Sequence, residues 1–126
     1  MNNAEMKEGV TPRDISPAIP ALIKALEDKD PLVRHFAVTA LCYVAERRCN
    51  ISPAVPALIK LLEDQAPAVR WNAAMALYHV AKLRCDISSA VPALTKALND
   101  KDSSVRGWAA EALKVLRSYG RARKKG

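Results

Sequence analysis

Residues 15–50 read ISPAIPALIKALEDKDPLVRHFAVTALCYVAERRCN, and residues 51–86 read ISPAVPALIKLLEDQAPAVRWNAAMALYHVAKLRCD. The two segments are identical at 22 of their 36 positions. A third copy begins at Ile87 and diverges near Tyr119. Because a fixed period of this length is the signature of repeat architectures, the stretch predicts three stacked copies of one structural unit.

Each copy divides into two helical segments joined by a short turn. In the first copy, Ser16 is a favourable helix cap before Pro17, and Asp30 is a similar cap before Pro31. The apolar residues at helical spacing are Ile19, Leu22, Ile23 and Leu26 in the first segment, and Val33, Ala37, Ala40, Leu41 and Val44 in the second. One helical hairpin cannot bury both stripes, whereas stacked hairpins form a continuous core.

This pattern predicts an all-α fold, an α-solenoid of two-helix repeats over residues 15–118. The repeats are 15–50, 51–86 and 87–118, with an N-terminal segment at 1–14 and a basic tail at 119–126. The third copy carries polar residues such as Ser89, Thr95 and Glu111, as expected of a solvent-facing end. The first copy has no such adaptation, so we expect residues 1–14 or another chain to cover its open face.

The chain composition favours a cytoplasmic protein without disulfides. Half of the residues are apolar and few are aromatic, but charged residues interrupt every apolar run before it reaches the length of a membrane span. The N-terminus lacks the basic start and apolar run of a secretion signal. The cysteines, Cys42, Cys49 and Cys85, show neither a zinc-binding spacing nor a disulfide framework, and we interpret Cys49 and Cys85 as packing residues.

A proline, an aspartate eight residues later and an arginine six residues beyond it recur in every copy. They are Pro20, Asp28 and Arg34; Pro56, Asp64 and Arg70; and Pro92, Asp100 and Arg106. On these residues the chain resembles the HEAT repeat family from residue 15 to about 118, including the short HEAT-like repeats of phycobilin lyases. The resemblance implies that these aspartates and arginines form a structural ladder between neighbouring turns. Armadillo repeats are the alternative that the sequence also resembles. Their unit has three helices and about 42 residues, with a glycine near the first turn that this chain lacks.

The sequence contains no recognisable enzyme motif. We find no glycine-rich phosphate loop, no HExxH and no GxSxG. His35 and His79 lie in different repeats without a carboxylate or cysteine at metal-ligand spacing, and we predict that both are surface residues. We therefore expect no catalytic activity, no cofactor and no bound metal.

The predicted functional surface is the side of each second helix opposite its apolar stripe, which by resemblance lines a concave groove. Its positions are His35, Thr39, Cys42 and Glu46; Trp71, Met75, Tyr78 and Lys82; and Gly107, Glu111, Lys114 and Ser118. Trp71, Met75 and Tyr78 are typical of a protein-binding hot spot, with Tyr43 and His79 as candidates at the groove's edge. The alternative is that Trp71 and Tyr78 fill gaps between helices, as we expect of Phe36 and Trp108.

The net charge of +7 is concentrated at the C-terminus. The basic residues there include Arg117, Arg121, Arg123, Lys124 and Lys125, while the preceding body is almost neutral. We interpret this run as a solvated tail; the alternative is nucleic-acid binding by the tail with Lys82 and Lys114. The preferred function is a scaffold that binds a protein or peptide. A third possibility is a structural unit that stacks end to end. We expect the chain to be a monomer or to self-associate weakly through its first repeat.

Overall fold

The computed structural model describes residues 17–47 and 50–125, with side chains described as far as Tyr119. The described residues contain helices and no strand. The α-helices are α1 Ile19–Ala25, α2 Pro31–Glu46, α3 Val55–Leu61, α4 Pro67–Lys82, α5 Val91–Ala97 and α6 Ser103–Lys125. Short 3-10 helices at Ser52–Ala54 and Ser88–Ala90 precede α3 and α5. The predicted α-solenoid of two-helix repeats is confirmed.

The local capping groups explain where the helices begin. Asp30 caps α2 as predicted, because its carboxylate accepts a hydrogen bond of 2.9 Å from the Leu32 N–H. In the later repeats the serine itself is not the cap: the Ser52 N–H donates to Asn50 Oδ1 at 2.9 Å, and the equivalent Ser88 N–H donates to Asp86 Oδ1. The corresponding Ser16 lies outside the described residues.

The six helices form two layers with the core between them. The second helices, α2, α4 and α6, pack against each other along their length, whereas each first helix mainly contacts the second helix of its own repeat. Leu41, Leu58 and Leu77 are fully buried at this junction. Since burying one such side chain contributes about 1.5–3 kcal/mol, the repeated leucines supply much of the free energy that holds the layers together. We call the side of the second-helix layer that faces away from the first helices the inner surface.

Arginines connect the turns of successive repeats. Arg34 Nη1 donates to the carbonyl oxygens of Asp28 and Lys29 in its own turn, at 2.8 and 3.0 Å. Its Nε donates to Asp64 Oδ1 of the next turn at 2.7 Å. Arg70 repeats this arrangement, with its Nε 2.9 Å from Asp100 Oδ2. Each guanidinium therefore holds two turns at a fixed separation.

The ladder aspartates also close their own turns. The Ala66 N–H donates to Asp64 Oδ2 at 2.9 Å, and the Asp102 N–H donates to Asp100 Oδ1 at the same distance. The paired side chains are mostly shielded from water, since Arg70 is 12% and Asp100 is 13% exposed. A charge-assisted hydrogen bond is stronger in such a site than on an open surface, so the pair is structurally significant.

The last helix extends beyond the repeat and is fastened to the preceding one. The Tyr119 hydroxyl donates to the Lys82 carbonyl oxygen at 3.1 Å. Arg84, which follows α4 with a φ of 64°, places its guanidinium 4.7 Å from the centre of the Tyr119 ring. Because a non-glycine residue in this left-handed region costs about 1–2 kcal/mol, the stacked ring helps to offset a strained helix end.

Replacing Arg70 with alanine is expected to lower the free energy of unfolding by about 2–3 kcal/mol, because two carbonyls and a shielded carboxylate lose their donor. Arg106→Ala is the matched control, since Arg106 makes the same two carbonyl hydrogen bonds and has no aspartate partner among the described residues. Urea unfolding should show a clearly smaller loss for Arg106→Ala. Equal losses would mean that the bridge between repeats contributes nothing.

The ion pair between Arg70 and Asp100 also predicts that the stability of the protein depends on pH. Burial tends to raise the pKa of Asp100, but the hydrogen bonds from the Asp102 N–H and from Arg70 outweigh it and lower that pKa below its ordinary value of 3.8. The unfolded chain therefore binds the proton first as the pH falls. The contribution of Asp100 to the free energy of unfolding is complete at pH values above its ordinary pKa. It is lost as the pH falls through the lowered pKa of the folded state.

Thermal melts from neutral pH down to about pH 2 should show this loss in the wild type and a smaller one in Asp100→Asn, whose side chain does not titrate. The quantity to compare is the difference in melting temperature between the two proteins at each pH. A difference that stays constant throughout would contradict the assignment.

Candidate functional site

The inner surface of the solenoid is formed by α2, α4 and α6. Its middle part presents Trp71, Met75 and Tyr78, one turn apart along α4, and all three are partly buried against the core. The Tyr78 ring also lies 5.3 Å from the Trp108 ring of α6 in a tilted arrangement. These side chains thus have a packed side and an exposed side, so they combine features of both sequence interpretations.

Charged groups border this row at its C-terminal end. The exposed Lys82 places its ammonium 5.1 Å from the centre of the Tyr78 ring, a cation–π distance. His79 Nε2 lies 3.9 Å from a carboxylate oxygen of Glu46, across the interface of the first two repeats. The row therefore has an apolar centre and a polar margin.

His79 is not the surface residue that the sequence predicted, since its side chain is only 15% exposed. Burial lowers its pKa below the ordinary 6.5; the nearby Glu46 counteracts this effect, and Lys82 reinforces it. The imidazole is consequently neutral at pH 7. His35 is half-buried as well, with its ring 6.0 Å from the Phe36 ring.

Cys42 is not part of the exposed row that the sequence predicted, because it is 2% exposed and its side chain packs between α2 and α4. Its thiol donates to the Asn72 carbonyl oxygen at 3.2 Å. Burial, together with the charge of Glu46, raises the pKa of this thiol to about 12, so it stays protonated and unreactive at neutral pH. Cys85 is half-buried, and Cys49 lies outside the described residues.

The first repeat exposes a patch that the sequence analysis missed. Leu32, Phe36 and Tyr43 are 64%, 68% and 55% exposed, and they follow one side of α2 together with Thr39 and Ala40. We call these five residues the end face. The expectation that Phe36 fills a gap between helices is wrong, because no described helix covers it. The equivalent position in the second repeat, Asn72, is 3% exposed because α2 lies over it.

The sequence analysis missed the end face because the equivalent positions of the next repeat are buried or partly buried. The spacing of these residues along α2, which places them on one side of the helix, was the sequence signal that could have revealed the end face. Thr39 and Tyr43, which the sequence assigned to the groove and its edge, are exposed and contribute to this side of α2. In Tyr43, the hydroxyl accepts a hydrogen bond of 3.1 Å from Arg47 Nε, and the Arg47 guanidinium stacks 5.0 Å from the ring centre.

The third repeat presents a polar surface. Glu111, Lys114 and Arg117 are exposed on α6, whose backbone continues as helix to Lys125. The side chains of Arg121, Arg123, Lys124 and Lys125 lie outside the described residues. The basic tail therefore leaves the repeats as an extension of α6.

Within residues 17–47 and 50–125, no helix has the length and hydropathy required to cross a membrane. In the same part of the chain, no three histidine, cysteine or acidic side chains come together in a way that could hold a metal ion.

An NMR titration should place the pKa of His79 below 6.5, because its folded surroundings disfavour the charged imidazole. Glu46→Gln should lower this pKa further by removing a favourable charge, and Lys82→Met should raise it. Since the unfolded chain binds this proton more readily, His79 should reduce stability as the pH falls below 6.5 towards its lowered pKa. Shifts in the opposite directions would refute the described geometry.

The chain matches the sequence profile of the HEAT repeats over residues 19–114. No curated protein matches it significantly. Two engineered proteins with crystal structures from the Northeast Structural Genomics Consortium are similar in fold. The first has a TM-score of 0.75 and 31% identity over 85% of this chain and 49% of its own. The second has a TM-score of 0.73 and 31% identity over 84% of this chain and 29% of its own. The chain thus spans half or less of these engineered proteins, and its match from α1 into α6 shows that it belongs to the HEAT repeat family.

Proposed function

We propose that this protein is a binding scaffold whose inner surface takes up a peptide or helix of another protein. HEAT repeats are generally protein-interaction scaffolds. The observation that carries the proposal is the partly exposed row of Trp71, Met75 and Tyr78 at the centre of the inner surface. Aromatic and methionine side chains of this kind dominate the energetics of protein interfaces, because each buries a large area at a small entropic cost.

The arrangement favours a partner with apolar anchors and polar flanks. The packed side of Trp71 and Tyr78 holds their rings in place, so little conformational entropy is lost when the exposed side is covered. Lys82 on α4 and Glu111 on α6 are exposed and supply charges of opposite sign. An amphipathic helix or a short extended segment meets these requirements.

The chemistry of the inner surface supports binding more than catalysis. The thiol of Cys42 is buried and protonated, so it lacks both the access and the charge of a nucleophile. His79 is neutral, but its carboxylate neighbour Glu46 is 3.9 Å away, beyond hydrogen-bond distance. Neither group is arranged as a general base beside an activated nucleophile.

The test is to identify a partner by quantitative affinity capture from the source cell and then to measure its Kd against purified variants. Trp71→Ala should weaken binding at least about 30-fold, as expected of a hot-spot residue worth about 2 kcal/mol. Lys82→Ala on the inner surface and Lys60→Ala on the exposed side of α3 form a matched pair, of which only the first should weaken binding.

Trp71 and Tyr78 also contact the core, so the binding assay must be run well below the melting temperature of each variant. A partner whose affinity is the same for wild type, Trp71→Ala and Lys82→Ala would contradict the proposed surface. Raising the salt to about 0.2 M should leave most of the affinity intact. A steep loss with salt, together with capture of mixed-sequence DNA or RNA, would favour nucleic-acid binding instead.

A further inference from the structure

The end face of the first repeat is a large apolar surface at a position where the fold normally places another helix. In α4, the positions equivalent to Leu32, Phe36 and Tyr43 are occupied by Ala68, Asn72 and His79, which are buried or partly buried, and α2 contacts the last two. On α2 itself, the three large side chains are 64%, 68% and 55% exposed on one side of the helix, and an apolar patch of this kind is often functional.

We propose that the end face binds the same face of a second copy of this chain, with the two α2 helices antiparallel around a two-fold axis. A two-fold interface uses one patch on both subunits, so the patch must be complementary to itself. The proposal concerns a surface separate from the inner row around Trp71 and does not depend on it.

The spacing of the end face meets the requirement of self-complementarity. Its residues stand at positions 32, 36, 39, 40 and 43, the alternation of three and four residues that forms a seam between nearly aligned helices. With the axis between Thr39 and Ala40, the Phe36 of one copy meets the Tyr43 of the other. The small residues at the axis allow the helices to approach closely, and two aromatic pairs form on either side of it.

Charge favours the antiparallel direction. Arg47 lies at the C-terminal end of α2, and Asp28 and Asp30 lie at its N-terminal end. Antiparallel pairing brings the Arg47 of one copy beside these carboxylates of the other, and it also opposes the two helix dipoles. Asp28 accepts a hydrogen bond from the Asp30 N–H, but among the described residues it lacks the arginine that its counterparts Asp64 and Asp100 receive from a preceding repeat.

The opposite end of the solenoid does not fit the end face. Head-to-tail stacking would place Lys114 where Tyr78 lies against Trp108 in the second repeat. It would place Arg117 at the position of Ala45 and Ala81, which are 2% and 0% exposed. Burying the Arg117 cation without a partner at such a position is costly, so pairing two first-repeat ends is more favourable than stacking a first repeat on a third.

Light scattering on the full chain from about 1 to 500 μM tests the proposal, because an interface near the lower size limit of roughly 1,000 Å² should dissociate in this range. The expected mass rises from one chain to two. Phe36→Asn with Leu32→Ala should remain a monomer throughout; both new residues already occupy the equivalent positions of α4, so the fold tolerates them. Val91→Ser, at the opposite end, is the control and should still dimerise.

A cysteine placed at the proposed axis gives an independent readout. Under mild oxidation, Thr39→Cys should form a disulfide-linked dimer, whereas Thr95→Cys, an equally exposed threonine at the other end, should not. A monomer at every concentration would overturn the proposal, as would a dimer that survives the Phe36 and Leu32 changes. A chain that dimerises only after removal of residues 1–14 would likewise overturn it, since that segment would then be the occupant.

Discussion

A guanidinium shared between two successive turns sets the geometry on which this solenoid depends. Arg34 and Arg70 each bind two carbonyl oxygens of their own turn and the carboxylate of the next. The carbonyls at the end of a seven-residue helix need donors, and the aspartate is already engaged in closing its own turn. One planar cation meets both requirements at once, and its rigid fork fixes the distance between repeats.

That distance determines how the second helices meet. With the turns held together, α2, α4 and α6 lie in contact along their length, and positions on their inner side differ sharply in exposure. Ala74 is fully buried, whereas the larger Trp71 and Tyr78 are partly buried and partly exposed. The middle repeat carries the bulky residues and therefore the candidate binding row.

In a stack of identical units, each interior repeat is covered by a neighbour on both sides, whereas each end repeat leaves one apolar face without a neighbour. The third repeat resolves this with charged and polar residues on α6, which Tyr119 fastens to the end of α4. The first repeat keeps Leu32, Phe36 and Tyr43 exposed and leaves Asp28 without a ladder arginine among the described residues. This asymmetry makes the two ends chemically different. The end face lies on α2 and the row of Trp71, Met75 and Tyr78 on α4, so one surface can be substituted without changing residues of the other.

The sequence by itself determined the repeat, its two-helix division and the all-α solenoid, because period, apolar spacing and turn residues are local properties of the chain. It could not assign the burial of Cys42 and His79 or the exposure of Phe36. All three lie on helices whose local pattern is the same whether or not a neighbouring helix covers them. Only the tertiary structure decided this, since α4 covers Cys42, α2 packs beside His79, and among the described residues no second helix of a preceding repeat covers Phe36. Periodicity specifies which residues share a face, but exposure depends on what is packed against it.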